Sequence, residues 1–397
     1  MSINRRIFLL AGNGAVLSGA APSDQIGLGV IGAGSRGTFV MQVFQKSPEV
    51  RVRAICDVYE PNLENALSVA RQGGSTATAY RNYKALLDDK SVRAVLIASP
   101  EHWHAAMVTD ALAAGKDVYV EKPLCQTPEQ GAALVTLEAK SKSIVQVGMQ
   151  RRSYDLYREA LKVVAAGTLG PIHMVRSWWL NTALETPKAT ELKGKLDWEQ
   201  WQGPAQKRAF DPDRFRHWRQ YSDYSGGLVA DQGAHVYDGI HLLMNASFPS
   251  AVTATGGKAH VPGADTPETV VVVAEYPEDF VGVFTINYAA MRYESKNDQL
   301  NQLDGAKARL DIGRNEYKVF EQGKENTPVL QKASERGFGF ATDLHVQNFL
   351  ECVKTRARPT APMSVAFPAA LVVQMANLSI KTGKRVQWDR VRKAILV

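Results

Sequence analysis

The sequence predicts an α/β protein in two parts. The first is an N-terminal Rossmann-type, doubly wound parallel sheet. The second is an α+β domain on a large, open, mainly antiparallel sheet flanked by helices. Three observations predict this. Apolar runs alternate with helical patterns from Ile26 to Val147. Three glycines, Gly32, Gly34 and Gly37, stand where the first run gives way to the first helix. Beyond Gly148, strand-like runs follow one another with turns between them, which is the grammar of antiparallel pairing.

The elements follow in order. Residues 26–31 form an unbroken apolar strand, the pattern of a strand buried on both faces. A helix over 38–44 follows, then a strand over 50–56, a helix over 62–71 and a short connecting segment over 80–87. A buried strand over 92–98 leads to a helix over 104–114 that Gly115 closes. Strand 117–120, helix 128–141 and strand 144–147 complete the first part. A helix over 154–166 and a long strand over 173–181 open the second, and residues 188–225 read as a loop rich in Trp, Arg, Asp and Pro. After a helix over 230–244 come strand-like runs at 251–259, 269–276, 281–288, 308–311 and 317–320. Helices over 343–354 and 367–382 finish the chain.

A length of 397 residues suits two or three domains. The division expected is a leader at 1–21, a nucleotide-binding domain at 24–148 and a domain for substrate binding and oligomerisation at 149–397. The net charge of +7 is scattered with no basic run, which argues against a nucleic-acid partner. Three cysteines, Cys56, Cys125 and Cys352, lack CxxC spacing, so neither a disulfide framework nor a zinc knuckle is expected. The eight histidines form no HExxH, and no metal is expected. Arg5-Arg6, an apolar stretch to Leu17 and the small residues Ser18-Gly19-Ala20-Ala21 have the pattern of a twin-arginine export signal. A periplasmic or otherwise exported protein is expected. Gly12, Asn13 and Gly14 interrupt the stretch, and no other segment is expected to reach the roughly 20 apolar residues of a membrane span.

Gly32-Ala33-Gly34-Ser35-Arg36-Gly37 is a GxGxxG that follows a strand and opens a helix. Gly32 permits the turn, Gly34 lets a pyrophosphate approach the backbone, and Gly37 lets helix and strand pack. Ser35 and Arg36 complete the loop, and the helix N-terminus offers unpaired N–H groups to the phosphates. Asp57 ends the next strand, about 20 residues beyond Gly37, where a carboxylate accepts from ribose hydroxyls and repels a 2′-phosphate. NAD is favoured over NADP, although Arg36 could reach a phosphate. Ser99-Pro100 ends a third strand at the usual ligand crevice. In the Glu101-His102-Trp103-His104 that follows, His104 is a candidate contact to the nicotinamide ribose; a turn bearing surface histidines fits equally well.

Glu121-Lys122-Pro123 after a Rossmann strand, with the glycine turn, Asp57 and Gly227-Leu228-Val229-Ala230-Asp231-Gln232-Gly233-Ala234-His235, resembles the glucose–fructose oxidoreductase, inositol dehydrogenase and rhizopine-catabolism (Gfo/Idh/MocA) family. The resemblance covers essentially all of the chain after the leader. It implies the two-domain fold, NAD(P), sugar or polyol substrates, and homodimers or homotetramers. Exported relatives that hold their nicotinamide tightly are also known.

The chemistry gives each group a reason. A secondary alcohol loses hydride only as its hydroxyl proton leaves, so a base must reach that oxygen. Lys122 is the candidate, if burial and nearby positive charge bring its ammonium toward neutrality; Glu121 stands beside it at the nicotinamide end. Asp231 and His235 are four apart on a predicted helix and share a face. His235 would relay a proton and Asp231 would orient it or hold substrate hydroxyls, with Asp238 behind them. Arg152 is a candidate for the substrate, but the sequence does not choose among Arg151, Arg152, Arg214, Arg216 and Arg219, nor among five tryptophans of this half; Tyr154 is a further candidate. The reading favoured is hydride transfer on a sugar or polyol with a tightly held cofactor. The alternative is a redox-neutral NAD-dependent glycosidase or keto-sugar lyase: transient oxidation at C3 acidifies the C2 proton, the C1 substituent leaves, water adds and the hydride returns. A third class, a protein that only binds NAD or senses a ligand, predicts no turnover.

Overall fold

The computed structural model describes residues 25–181, 191–261, 263–290, 299–324 and 326–397, so the expected leader lies outside the described residues. The first sheet is formed by β1 (Ile26–Ile31), β2 (Val50–Cys56), β3 (Thr78–Tyr80), β4 (Ala94–Ile97), β5 (Asp117–Val120) and β6 (Val145–Val147). Between them run α1 (Ser35–Gln45), α2 (Glu60–Gln72), α3 (Tyr83–Asp88), α4 (Glu101–Ala113) and α5 (Pro128–Lys140). The strand order is β3-β2-β1-β4-β5-β6, all parallel. Every residue of β1, β4 and β5 is buried, as the unbroken apolar runs require. The order reverses between β1 and β4, and the carboxyl ends of β1, β4 and β5 bring the glycine turn, Ser99 and Lys122 to the same edge of the sheet.

The second sheet has ten strands in the order β14-β13-β12-β11-β7-β10-β9-β8-β15-β16. They are β7 (Ile172–Leu180), β8 (Ala251–Gly256), β9 (Thr269–Tyr276), β10 (Phe280–Asn287), β11 (Gln299–Gly305), β12 (Ala308–Ile312), β13 (Glu316–Glu321), β14 (Leu330–Ala333), β15 (Val386–Asp389) and β16 (Ala394–Leu396). Pairing is antiparallel except between β7 and β10. Helices α6 (Asp155–Ala165), α9 (Gly227–Met244) and α11 (Met363–Thr382) pack against this half.

Several elements depart from the sequence reading. β11 was not expected, because its inward positions Gln299 and Asn301 are polar; they are buried nonetheless, against Arg151 (2.6 Å) and Tyr157 (3.4 Å). The described part of 188–225 is not simple loop. It holds the short helices α7 (Trp198–Gln202) and α8 (Pro212–Arg216) and a 3-10 turn at Trp218–Gln220. Helix α11 has the length and mean hydropathy (1.6) of a membrane span, contrary to expectation, yet 67% of its 18-residue apolar stretch is buried inside the protein, the mark of a core helix.

Helix α10 (Phe340–Thr355) leaves the second half and completes the core of the first. The Phe349 ring meets Phe44 and Tyr119 edge to face, at centroid distances of 5.9 and 5.8 Å. Truncating this buried ring, Phe349→Ala, is expected to cost about 3–5 kcal/mol in denaturant unfolding. A loss of less than about 1 kcal/mol would show that α10 does not belong to that core.

Candidate active site

The turn from β1 to α1 is the floor of a cleft. Gly32 has φ +83°, and a Cβ there would lie 2.6 Å from the Ser99 nitrogen. A Cβ on Gly37 would fall 2.0 Å from the Gly32 carbonyl oxygen, so only glycine lets α1 close on the turn. Gly34 differs: a Cβ there would meet only Asn62 Nδ2, at 3.7 Å, and the position faces the cleft. No side chain caps α1, so its first N–H groups stay open to an anion.

The cleft measures about 310 Å³, within the range of about 300–1,000 Å³ usual for small-molecule sites. Gly32, Gly34, Ser35, Arg36, Asp57, Ser99 and Pro100 line one side; Trp201, Phe215, Arg216, Trp218 and Arg219 line the other. Asp57 Oδ2 accepts from the Ala33 amide and Oδ1 from the Tyr59 amide, each at 2.8 Å. Burial raises its pKa and these bonds oppose the rise. The carboxylate is thus fixed at the end of β2, with lone pairs left for ribose hydroxyls. Ser99 Oγ is buried at the wall with no hydrogen-bond partner among the described residues. An open Gly34, uncapped N–H groups, an anchored acid and an orphaned hydroxyl fit a dinucleotide.

Some expected contacts are corrected. His104 is neither on the surface nor among the lining residues. Its Nδ1 lies 2.7 Å from the Pro123 carbonyl and its Nε2 2.9 Å from the Ser99 carbonyl, so the ring ties together the ends of β4 and β5. Arg36 does line the cleft while its Nε and one terminal nitrogen hold buried Glu121 at 2.8 Å, which engages Glu121 and leaves further N–H groups of the guanidinium for the cleft. Arg152, expected at the substrate, donates to Asp238 at 2.5 Å and ties down α9. Tyr154 is a core residue whose hydroxyl donates to the Arg314 carbonyl at 3.0 Å.

Lys122, Asp231 and His235 do come together. Lys122 Nζ donates to Asp231 Oδ1 at 2.5 Å and to the Asp231 carbonyl at 2.8 Å. Its neighbour is thus a carboxylate as well as other cations. Gln232 Nε2 donates to Asp231 Oδ2 and to the Tyr288 hydroxyl, each at 2.7 Å, and Arg219 Nε lies 3.5 Å from Oδ1. Burial raises the Asp231 pKa, but the charges of Lys122 and Arg219 outweigh it and hold the acid well below the usual carboxylate range. His235, one turn along α9, stacks on Trp179 with ring centroids 6.4 Å apart. Its Nδ1 is buried without a hydrogen-bond partner among the described residues. Burial first, then the charges of Lys122 and Arg151, push its pKa far below the ordinary 6.5, so the ring is neutral at physiological pH.

Sequence reasoning missed Gln232, Tyr288 and Glu101. Glu101 begins α4, and its buried carboxylate accepts from Ser225 Oγ (2.8 Å) and the Gly226 amide (2.9 Å), which fixes the start of α9. Burial pushes its pKa up to about 7. Its only signal in the sequence was its place just after the strand end Ser99-Pro100. Of the five arginines left open, the structure puts Arg219 and Arg216 at the cleft.

The chain matches an oxidoreductase family, Gfo/Idh/MocA, in two parts: the NAD-binding Rossmann fold over residues 26–149 and the C-terminal alpha/beta domain over residues 162–388. An inositol 2-dehydrogenase of Gluconacetobacter diazotrophicus is 31% identical over 169 residues, 42% of this chain and 49% of that protein. The chain thus spans about half the length of such curated relatives. An NAD(+) scyllo-inositol 2-dehydrogenase of Bacillus subtilis is 24% identical over 85% of this chain and 89% of its own. A levoglucosan dehydrogenase solved with NADH and levoglucosan shares the fold, with a TM-score of 0.72 at 18% identity over 91% of this chain and 99% of the other.

Two glycine substitutions separate folding from nucleotide binding. Gly37→Ala forces an overlap with backbone and is expected to destabilise the protein by about 1–3 kcal/mol or more without ligand. Gly34→Ala is expected to leave ligand-free unfolding within about 0.5 kcal/mol of the parent while weakening NAD binding in calorimetry. Full NAD affinity in Gly34→Ala would remove the pyrophosphate from this turn.

Proposed function

The chain belongs to the Gfo/Idh/MocA oxidoreductase family, and from that premise we propose that it moves a hydride between NAD and a secondary-alcohol carbon of a sugar or polyol. The observation that carries this reading is Lys122 held on Asp231 beside a neutral His235, joined to the cleft through Arg219, which lines it and lies 3.5 Å from Asp231 Oδ1. A bound nicotinamide supplies the hydride acceptor or donor. The chain's own residues handle the substrate oxygen and its proton.

Lys122 commits two N–H groups to Asp231, which leaves one for a substrate oxygen. That contact stabilises charge on the oxygen as the C–H bond breaks. Asp231 has both oxygens engaged, so it orients rather than accepts. His235 holds an uncharged ring next to the pair and accepts the departing proton, passing it on rather than keeping it, because burial and the cations around it disfavour its charged form.

The dehydrogenases among the relatives favour net oxidation over the redox-neutral glycosidase or lyase alternative. A panel of sugars and polyols followed by nicotinamide absorbance tests the choice; sugar release with no net NADH would reverse it. With the substrate so found, Lys122→Ala is expected to lower kcat by about 10²–10⁴-fold. Falling pH removes activity only as His235 gains a proton, so the acid limb for oxidation is expected well below pH 6.5. A limb at or above pH 6.5, or an unimpaired Lys122→Ala, would sink these roles.

Two further parts of the reading are tested by mass. Arg5-Arg6 and the stretch behind it support export by the twin-arginine route, which passes folded proteins. The outer face of the large sheet exposes Met174 (41%) and Val271 (39%), which supports a homodimer or homotetramer through that face. Intact mass of the exported protein should show cleavage near Ala20 or Ala21, and light scattering should give at least twice the chain mass. An uncut N-terminus, or a monomer, would remove the corresponding part.

A further inference from the structure

Three parts of the fold hold Asp231. Lys122 reaches Oδ1 from the end of β5, and Arg219 reaches the same oxygen from the 3-10 turn at Trp218–Gln220. The third contact falls on Oδ2 and comes from the next residue of α9, where Gln232 Nε2 donates at 2.7 Å. Neighbours one apart on a helix point about 100° away from each other, so helix geometry does not make this bond by itself. The Gln232 side chain has to bend back to Asp231, and Tyr288 keeps it there. The Tyr288 hydroxyl accepts the other Nε2 hydrogen at 2.7 Å, and the Asn181 side chain hydrogen-bonds the same hydroxyl. Tyr288 follows β10 directly, is buried, and its amide donates to the Glu268 carbonyl at 3.1 Å. The line Asp231–Gln232–Tyr288 therefore fastens the acid to the large sheet.

The atoms allow one arrangement. An ionised carboxylate only accepts, so the amide nitrogen of Gln232 and not its oxygen must face Oδ2. Nε2 carries two hydrogens and both have acceptors, so the amide cannot turn over without breaking two bonds. The amide is also neutral. It satisfies Oδ2 without adding a third cation to the pair that already overcomes the burial of Asp231. The other titratable groups around the acid are His235 on the same helix, Glu101 on α4 and Tyr288 itself. Among the described residues, Gln232 is the one donor to Oδ2.

We propose that Gln232, braced by Tyr288, is a positioning residue for hydride transfer: by occupying Oδ2 it stops the Asp231 carboxylate from turning, and so fixes where the remaining N–H of Lys122 points. The proposal rests on the role given to Lys122 above and deepens it. The Lys122 ammonium is a rotor, and its two bonds to Asp231 set its angle. One acceptor is a backbone carbonyl, fixed by the helix. The other is a side-chain oxygen that stays in place only while its twin is tied down. Gln232 acts through Asp231 and Lys122, so its loss lowers kcat and leaves KM nearly alone.

The test compares variants of the full chain with NAD and the sugar or polyol that the parent oxidises, across pH. Gln232→Met keeps the volume and removes the donor. Its kcat is expected to fall at least about tenfold, the worth of a hydrogen bond to a charged group, with KM within about twofold. Gln232→Glu supplies a donor only while protonated, and two carboxyls this close hold a shared proton to higher pH than either alone. Relative to the parent at each pH, this variant is expected to match Gln232→Met near about pH 8 and to recover at least about fivefold by about pH 5.5. A mere packing defect would not recover on acidification. Tyr288→Phe lowers kcat by itself, but no further when added to Gln232→Met, because it acts through Gln232. A Gln232→Met kcat equal to the parent's, a loss carried by KM, or a Gln232→Glu ratio to the parent that does not change with pH would overturn the clamp while leaving hydride transfer intact. A fully additive Tyr288→Phe would remove Tyr288 from it. A parent that oxidises none of the sugars and polyols would overturn both the clamp and the reading beneath it.

Discussion

The site depends on one helix being held in one orientation. The Gly226 amide, just before α9, meets Glu101; along one side of the helix Asp231 meets Lys122, the His235 carbonyl lies 3.4 Å from Arg151, and Asp238 meets Arg152. The spacing of about one turn between these positions keeps them on one face. Each partner comes from the nucleotide-binding half or from the segment that leaves it. Rotation of α9 by a quarter turn would strand four buried polar contacts at once, and stranding a buried polar group is costly. Catalytic geometry and domain docking are therefore the same set of bonds. Asp231 is ionised because Lys122 crosses from the other half to meet it; His235 is neutral because it is buried, and because that same cation and Arg151 stand near it.

The parts of the site that could be read in the sequence are those set by local backbone demands. Gly32 and Gly37 must be glycine because of the turn's own geometry, and Asp57 stands at a distance that one strand and one helix fix. Lys122, Asp231 and His235 were found through order along the chain, a weaker kind of signal. What escaped was set through space. Nothing near Arg219 in the chain separates it from Arg214, which pairs with Asp223 instead. His104 looks like a ligand contact only until Pro123 is seen folded against it. Nothing near Arg36 in the chain announces its ion pair with Glu121, 85 residues on.

The fold shows the same division. Apolar runs and alternating strands announced both sheets. β11 stayed hidden because its buried positions are filled by Gln299 and Asn301, whose amides answer to Arg151 and Tyr157 rather than to a hydrophobic rule. Helix α11 carried the opposite error: its apolar length is what a helix wrapped by its own protein requires, and length alone does not tell such a wrapping from lipid.

The return of α10 has a consequence for biosynthesis. The residues that seal the nucleotide domain beside Phe44 and Tyr119 lie in α10, far along the chain from the last strand of its sheet, β6. A ribosome adding about 5–20 residues per second takes roughly ten to forty seconds to travel from the end of β6 to the end of α10. Throughout that interval the nascent domain shows an unsealed aromatic patch. The first half is thus sealed only once α10 has been made, although all six strands of its sheet are made long before.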